Sequence, residues 1–276
     1  MQKVIYRNEI EQYEEQIDQI IINHIEEGLV ETFEGFEHFS LVAFDWYDIS
    51  NIEQEPSQMI IYLDEEDFFV ICENEVSYKA AEAYFTETPT NERAMYLFFK
   101  NLFKGDIKNI EAIEDRISEL DDNIIAGQEP DARTKIVDIR YEILCLKKYY
   151  EQFELVFDEL CENDNELISE NYINYFEVLR NRTDRMTSSV MNLREFVVQV
   201  RESYQAQIDI EQNRLMKIFT LVTSIFLPLT LIAGWYGMNL KMPEVEWAYS
   251  YPVVIAVCII VCVIWLVVFK KKGWFK

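Results

Sequence analysis

The chain has 276 residues, 50% of them hydrophobic, and its 50 acidic against 25 basic side chains leave a formal charge of -25. Such a surface repels phosphate, which argues against a nucleic-acid partner and suits cations, although solubility alone is an equally good reason for it. A mean hydropathy of -0.11 averages a strongly polar body with a short apolar end, so the chain is expected to divide into a soluble part and a membrane part.

The opening MQKVIYRNEIEQYEEQ has no basic start followed by an apolar run, so no cleavable signal is expected and the body is expected to stay in the cytosol. Residues 1–104 read as a mixed α/β domain. Glu9 to Ile25 is predicted as one amphipathic helix with Tyr13, Ile17, Ile20, Ile21 and Ile25 on its buried side. Leu41–Phe44 reads as a strand, and Met59–Leu63 with Phe68–Cys72 as a hairpin across Asp64-Glu65-Glu66-Asp67. That acidic turn could hold a cation, but charge at a loop tip is ordinarily only solvated. Asn91–Phe103 is predicted helical. His24 and His38 stand far from any other ligand-like cluster and read as ordinary surface or core residues.

After Gly105 the strand signals stop, and residues 105–170 are predicted as an antiparallel helical pair. Ile107, Ile110, Ile113, Ile117, Leu120 and Ile124 form one stripe, ended by Gly127 and Pro130. Ile136, Ile139, Ile143, Leu146, Tyr150, Phe153, Phe157 and Leu160 form the next, at heptad spacing. The pattern resumes with Leu179, Met186, Val190, Leu193, Val197, Val200, Tyr204 and Ile208, and no proline or glycine interrupts Glu170 to Met216. A stalk over 171–217 should therefore run unbroken into a first span over 218–239, a helix on the order of 100 Å long. A rod of that length needs the preceding helices, neighbouring subunits or both to cover its stripes, and a symmetric ring of identical chains meets that need.

The first span is followed by an external loop over 240–251, a second span over 252–269 and a basic tail over 270–276. Arg214 and Lys217 before the first span and the lysines after the second place both termini on the cytosolic side of the cell membrane. Trp235, Tyr236, Trp247, Tyr249 and Tyr251 would gather at the outer interface, Trp274 and Phe275 at the inner one. Cys72, Cys145, Cys161, Cys258 and Cys262 show no CxxC spacing, so neither disulfides nor a zinc site is expected. Cys258 and Cys262 share a helix face and could bind a soft metal, but packing is the better reading.

Tyr236-Gly237-Met238-Asn239 closes the first span, Met242-Pro243-Glu244 stands in the loop, Tyr251-Pro252 opens the second span, and Phe226-Leu227-Pro228-Leu229-Thr230 lies within the first. In this order, with a lysine-rich tail, they resemble the CorA family of divalent-cation channels, clearly over about the last 65 residues and more weakly upstream. The resemblance implies an α/β cytosolic N-terminal domain followed by long helices, including a continuous stalk-plus-first transmembrane helix and a second transmembrane helix. It implies a homopentamer in the lipid bilayer that takes up magnesium, with cobalt or nickel tolerated.

Gly237, Met238 and Asn239 match the family's outer ion-binding site. Asn239 would present its amide oxygen to the water shell of the ion, and Gly237 would let backbone approach; an ordinary helix cap is the plainer alternative. Counted back without gaps, Asn213, Met216, Phe219, Thr223, Leu227 and Thr230 match the family's pore face. From spacing alone, with Thr220 an alternative to Phe219, interhelical packing is the better reading of these residues. The family's magnesium sensor has no clear counterpart: Val178 stands where the resemblance expects an aspartate, beside Glu177, and no regulatory metal ligand is assigned. No GxxxxGK loop and no nucleophile–base pattern occurs, so no enzyme is expected, and no cofactor beyond the transported magnesium, with a regulatory ligand left open. A zinc-transporting relative with the same motif and a non-conducting membrane-tethered coiled-coil scaffold or sensor remain the alternatives.

Overall fold

The computed structural model describes residues 1–49, 51, 54–238, 247 and 249–274. The chain separates into two compact units, Met1–Ser203 and Tyr204–Lys276. The first is built on five strands: β1 (Gln2–Tyr6), β2 (Phe33–Gly35), β3 (Phe39–Trp46), β4 (Ser57–Asp64) and β5 (Phe68–Cys72), in the spatial order β1-β5-β4-β3-β2. β1 runs parallel to β5, and every other pair is antiparallel. Val42, Ile61, Val70 and Val4 lie abreast across the sheet.

Every residue of β5 is buried, because helices cover both faces of the sheet. On one face Ile5, Leu41, Tyr62 and Phe69 pack with Ile10, Ile17, Ile22 and Ile25 from the N-terminal segment. On the other, Phe44 meets Phe99 of α3 (Asn91–Leu102) at 6.0 Å and Phe153 of α5 (Ala132–Glu162) at 5.0 Å between ring centroids. Gln152 adds a reciprocal pair of bonds to the Asp45 backbone, each 2.9 Å. α5 is thus part of the same packed unit as the sheet.

The predicted helix over Glu9–Ile25 is two pieces: a 3-10 turn over Arg7–Tyr13, then α1 (Gln19–Glu26). Asp18 is the reason. Its side chain accepts from the Ile20 amide at 2.8 Å, which starts a new helix and rotates its face. Ile22 is buried in consequence and Ile20 is 77% exposed, the reverse of a continuous helix. α2 (Glu75–Tyr84) was not anticipated either, although Asn74 caps it by accepting from Val76 and Ser77 at 3.0 Å each.

The acidic hairpin tip is closed by its own first residue. Asp64 accepts from the Glu66 and Asp67 amides through Oδ1 at 2.8 and 2.6 Å, and from the Tyr62 hydroxyl through Oδ2 at 2.8 Å. Both oxygens serve the turn. Of the histidines, His24 lies 3.2 Å from Glu34 and His38 is exposed.

α4 (Asp106–Ile125), α5 and the first part of α6 (Glu170–Tyr236) bury the stripes the spacing predicts, save that Ile107 is 49% exposed and Tyr204 and Ile208 are only half-buried. On α6 the buried set also includes Phe176 and Thr183. Two polar links tie these helices. Arg116 Nη2 donates to both oxygens of the buried Glu142, at 2.6 and 2.7 Å. Near the start of α4, Asp106 accepts the Tyr150 hydroxyl at 3.1 Å while Arg182 of α6 donates to the Phe103 carbonyl at 2.6 Å. Burial pushes the Asp106 carboxyl up to about 6, against the opposing pull of Tyr150 and Arg182.

Candidate functional site

The second unit holds the C-terminal part of α6 and α7 (Ser250–Lys271), both long and apolar enough to cross a membrane. No charged side chain lies between Lys217 and Tyr236. Each helix is half-covered along one stripe: Leu221, Ser224, Ile225, Pro228, Leu229 and Ile232 on α6, and Val254, Cys258, Val261, Cys262, Trp265 and Val268 on α7. Steps of three and four are what a packed helix pair requires. Cys258 and Cys262 therefore belong to a packing stripe, and both are free thiols. Among the described residues no three His, Cys, Asp or Glu side chains gather to hold a metal.

Asn213, Met216, Phe219, Thr223, Leu227 and Thr230 are all exposed. At about 100° per residue they fall within roughly a third of the helix circumference, opposite the half-covered stripe. The large side chains show it best, with Leu227 70%, Phe219 64% and Met216 63% exposed. Thr223 donates its hydroxyl to the Phe219 carbonyl at 2.8 Å and Thr230 to that of Phe226 at 2.8 Å; Thr220 does the same to Met216 at 2.8 Å. A hydroxyl whose proton is held by its own helix turns its lone pairs outward, where they can accept hydrogen bonds from water.

α6 ends at Tyr236. The Gly237 amide donates to the Ala233 carbonyl at 2.8 Å, and a Cβ at Gly237 would stand 2.9 Å from that same oxygen, closer than side chains tolerate. Met238 follows, 52% exposed, its amide 3.4 Å from the Trp235 carbonyl. Asn239 lies outside the described residues, as do Met242-Pro243-Glu244 of the loop and the last two residues of the tail. Within the predicted loop, Trp247 and Tyr249 meet edge to face at 5.9 Å, and Tyr251, already in the first turn of α7, is 77% exposed. At the other end of α7, Phe269 is stacked between Trp265 and Trp274 at 5.3 and 5.2 Å. In the first unit, Glu177 and Val178 are both exposed on α6. Spacing alone did not show the half-covered stripe of α6; the alternation of Ser224 and Pro228 with leucine and isoleucine was its only trace.

A family model described as CorA-like Mg2+ transporter protein matches residues 9–271. The chain belongs to that family. It is 32% identical over 166 residues to the cobalt/magnesium transport protein CorA of Thermotoga maritima, covering 60% of this chain and 47% of that protein. To the magnesium transport protein CorA of Campylobacter jejuni it is 56% identical over 70 residues, 25% of this chain and 21% of that protein. The chain thus spans about half or less of the length of these curated relatives. In fold it matches the complete structure of the CorA magnesium transporter from Methanocaldococcus jannaschii, with a TM-score of 0.81 at 19% identity over 99% of this chain and 90% of that one. The CorA fold, an α/β domain followed by long helices and two apolar C-terminal helices, is the fold of this chain.

Proposed function

We propose that this chain is one subunit of a channel carrying divalent cations across a cell membrane, magnesium foremost, with cobalt or nickel tolerated and with the first unit and both termini in the cytosol. One observation supports the reading: the polar and bulky residues Asn213 to Thr230 named above share an exposed face of α6, opposite its half-covered stripe. Two spans cannot enclose a water path, so several copies must, and the family resemblance implies five. Within such a ring Asn213, Thr223 and Thr230 offer oxygens to a hydrated ion, while Met216, Phe219 and Leu227 close the path by excluding water.

Magnesium gives up its water reluctantly, so an entrance of neutral oxygens can select it without trapping it. Gly237, Met238 and Asn239 form that entrance, with Asn239 holding the ion through its bound water. A divalent ion crossing about 100 mV, negative inside, gains roughly 4.6 kcal/mol, enough to drive uptake without an energy-coupling enzyme. The cytosolic unit gates the path, since α6 belongs to both units.

Magnesium uptake into liposomes containing the purified chain tests the proposal. Asn239→Ala is expected to lower uptake by about tenfold or more, the scale of a lost hydrogen-bonding group. Equal uptake by both proteins refutes the entrance. Zinc uptake without magnesium uptake moves the assignment to a zinc carrier, and flux of neither ion to a scaffold.

A further inference from the structure

Two grooves of opposite charge flank α6 in the first unit. One, about 660 Å³ between α5 and α6, is edged by Arg140, Lys147, Arg194 and Arg201 around Tyr141 and Leu144. Among the described residues no acidic side chain lines it, in a chain with 50 acids to 25 bases. Lys147 pairs with Glu151 at 3.0 Å, but among the described residues Arg140, Arg194 and Arg201 make no ion pair. Tyr141 and Leu144 are 61% and 48% exposed.

The other groove, about 500 Å³ between α4 and α6, carries Glu111, Glu114, Ile107 and Phe196. Its one cation among the described residues, Arg185, is tied through Nε to the Asn181 carbonyl at 3.1 Å. Glu111 and Glu114 likewise make no ion pair among the described residues. α6 gives Val190, Arg194 and Arg201 to the basic groove and Ser189, Asn192 and Phe196 to the acidic one. At about 100° per residue these sets lie on opposite flanks of the helix.

We propose that the basic groove is the docking surface for the acidic α4 edge of a second copy of this chain. The occupant follows from charge and placement together. A two-fold contact through either groove would set like charge on like, which is costly, whereas a head-to-tail contact sets each groove against its opposite. A head-to-tail contact leaves both flanks of every copy occupied only when it closes into a ring. Ile107 and Phe196 on one side and Tyr141 and Leu144 on the other supply the apolar centre that an ionic rim surrounds in a stable interface. The inference rests on the reading that several copies enclose the ion path, and it names the faces by which they meet.

The test uses the full chain in two tagged populations, one carrying Arg194→Cys and the other Glu114→Cys, co-expressed, purified in detergent and treated with a short thiol–thiol cross-linker. The experiment is repeated with Arg201→Cys against Glu111→Cys, so that no single placement decides it. Mixed-tag dimers are expected in about tenfold excess over either population alone. Adding Arg201→Glu to the first pair should reduce them about tenfold, and Glu111→Arg in the partner should restore them. No excess in either pair, while native mass shows an oligomer, overturns the proposal; a groove filled by anionic lipid or by another protein gives that result. A monomeric native mass refutes the multi-copy reading itself. Mixed dimers without magnesium uptake leave the interface standing and refute transport.

Discussion

Asp106 shows how one buried carboxyl sets a pH dependence. Burial raises it from the ordinary 3.8 to about 6, so the folded chain holds this proton more tightly than the unfolded chain does. Its contribution to stability is complete below the unfolded value and is lost as the pH rises through about 6, a difference of about 3 kcal/mol. Asp106→Asn keeps an acceptor for the Tyr150 hydroxyl and removes the titration. Thermal unfolding of the two proteins between about pH 4 and pH 7.5 should show a downward slope for the native chain and a flatter one for the variant. Parallel slopes would mean that another group carries the effect. Gly237 makes a second residue-scale prediction. Because a Cβ there would meet the Ala233 carbonyl at 2.9 Å, Gly237→Ala must shift the helix end, and it should reduce magnesium uptake while leaving helix content by circular dichroism unchanged.

Among the elements, α4 and α5 are joined by the Arg116–Glu142 pair as well as by apolar packing. Glu142 is buried and the Arg116 side chain is 48% exposed, so removing the arginine strands a carboxylate that solvent reaches only partly. Arg116→Ala should cost about 2–3 kcal/mol in denaturant unfolding, less than breaking a fully buried pair. Replacing both partners with apolar residues should recover most of that loss. The helices of this region were legible in the sequence because their apolar residues recur every three or four positions over long stretches, and packing obeys that period. The short strands were not: β2 is three residues long, and β1 is held by a partner more than sixty positions away. The break at Asp18 was readable as a cap before an apolar run, but the isoleucines on either side kept helical spacing and concealed it. In the candidate site, residue order disclosed the Gly237–Met238 turn and the sequence of polar and bulky groups on α6. Which side of α6 a neighbouring helix covers is decided by packing, and spacing is blind to it.

For the whole molecule, the proposed path has no energy source but the ion's own gradient and the voltage. Liposomes given an inside-negative diffusion potential of about 100 mV should accumulate magnesium toward a ratio of ~10³, against none without the potential. Uptake indifferent to voltage would point to electroneutral exchange instead of a channel. The same charge that attracts cations also divides the surface, since the arginines around the α5–α6 groove form a basic area on a chain of net charge -25.

The parallel pairing of β1 with β5 also fixes a timetable for biogenesis. Among the strands β1 leaves the ribosome first and β5 last, so this edge of the sheet stays open until Cys72 is free, while the β3–β4 and β4–β5 hairpins close locally beforehand. α4 and α5 emerge next, and the greasy segments follow only after the residues that fill the first unit's core. The first unit's strands can therefore pair before the apolar segments are made, and a lesion that delays β1 would leave a sticky, half-built sheet waiting when those segments follow.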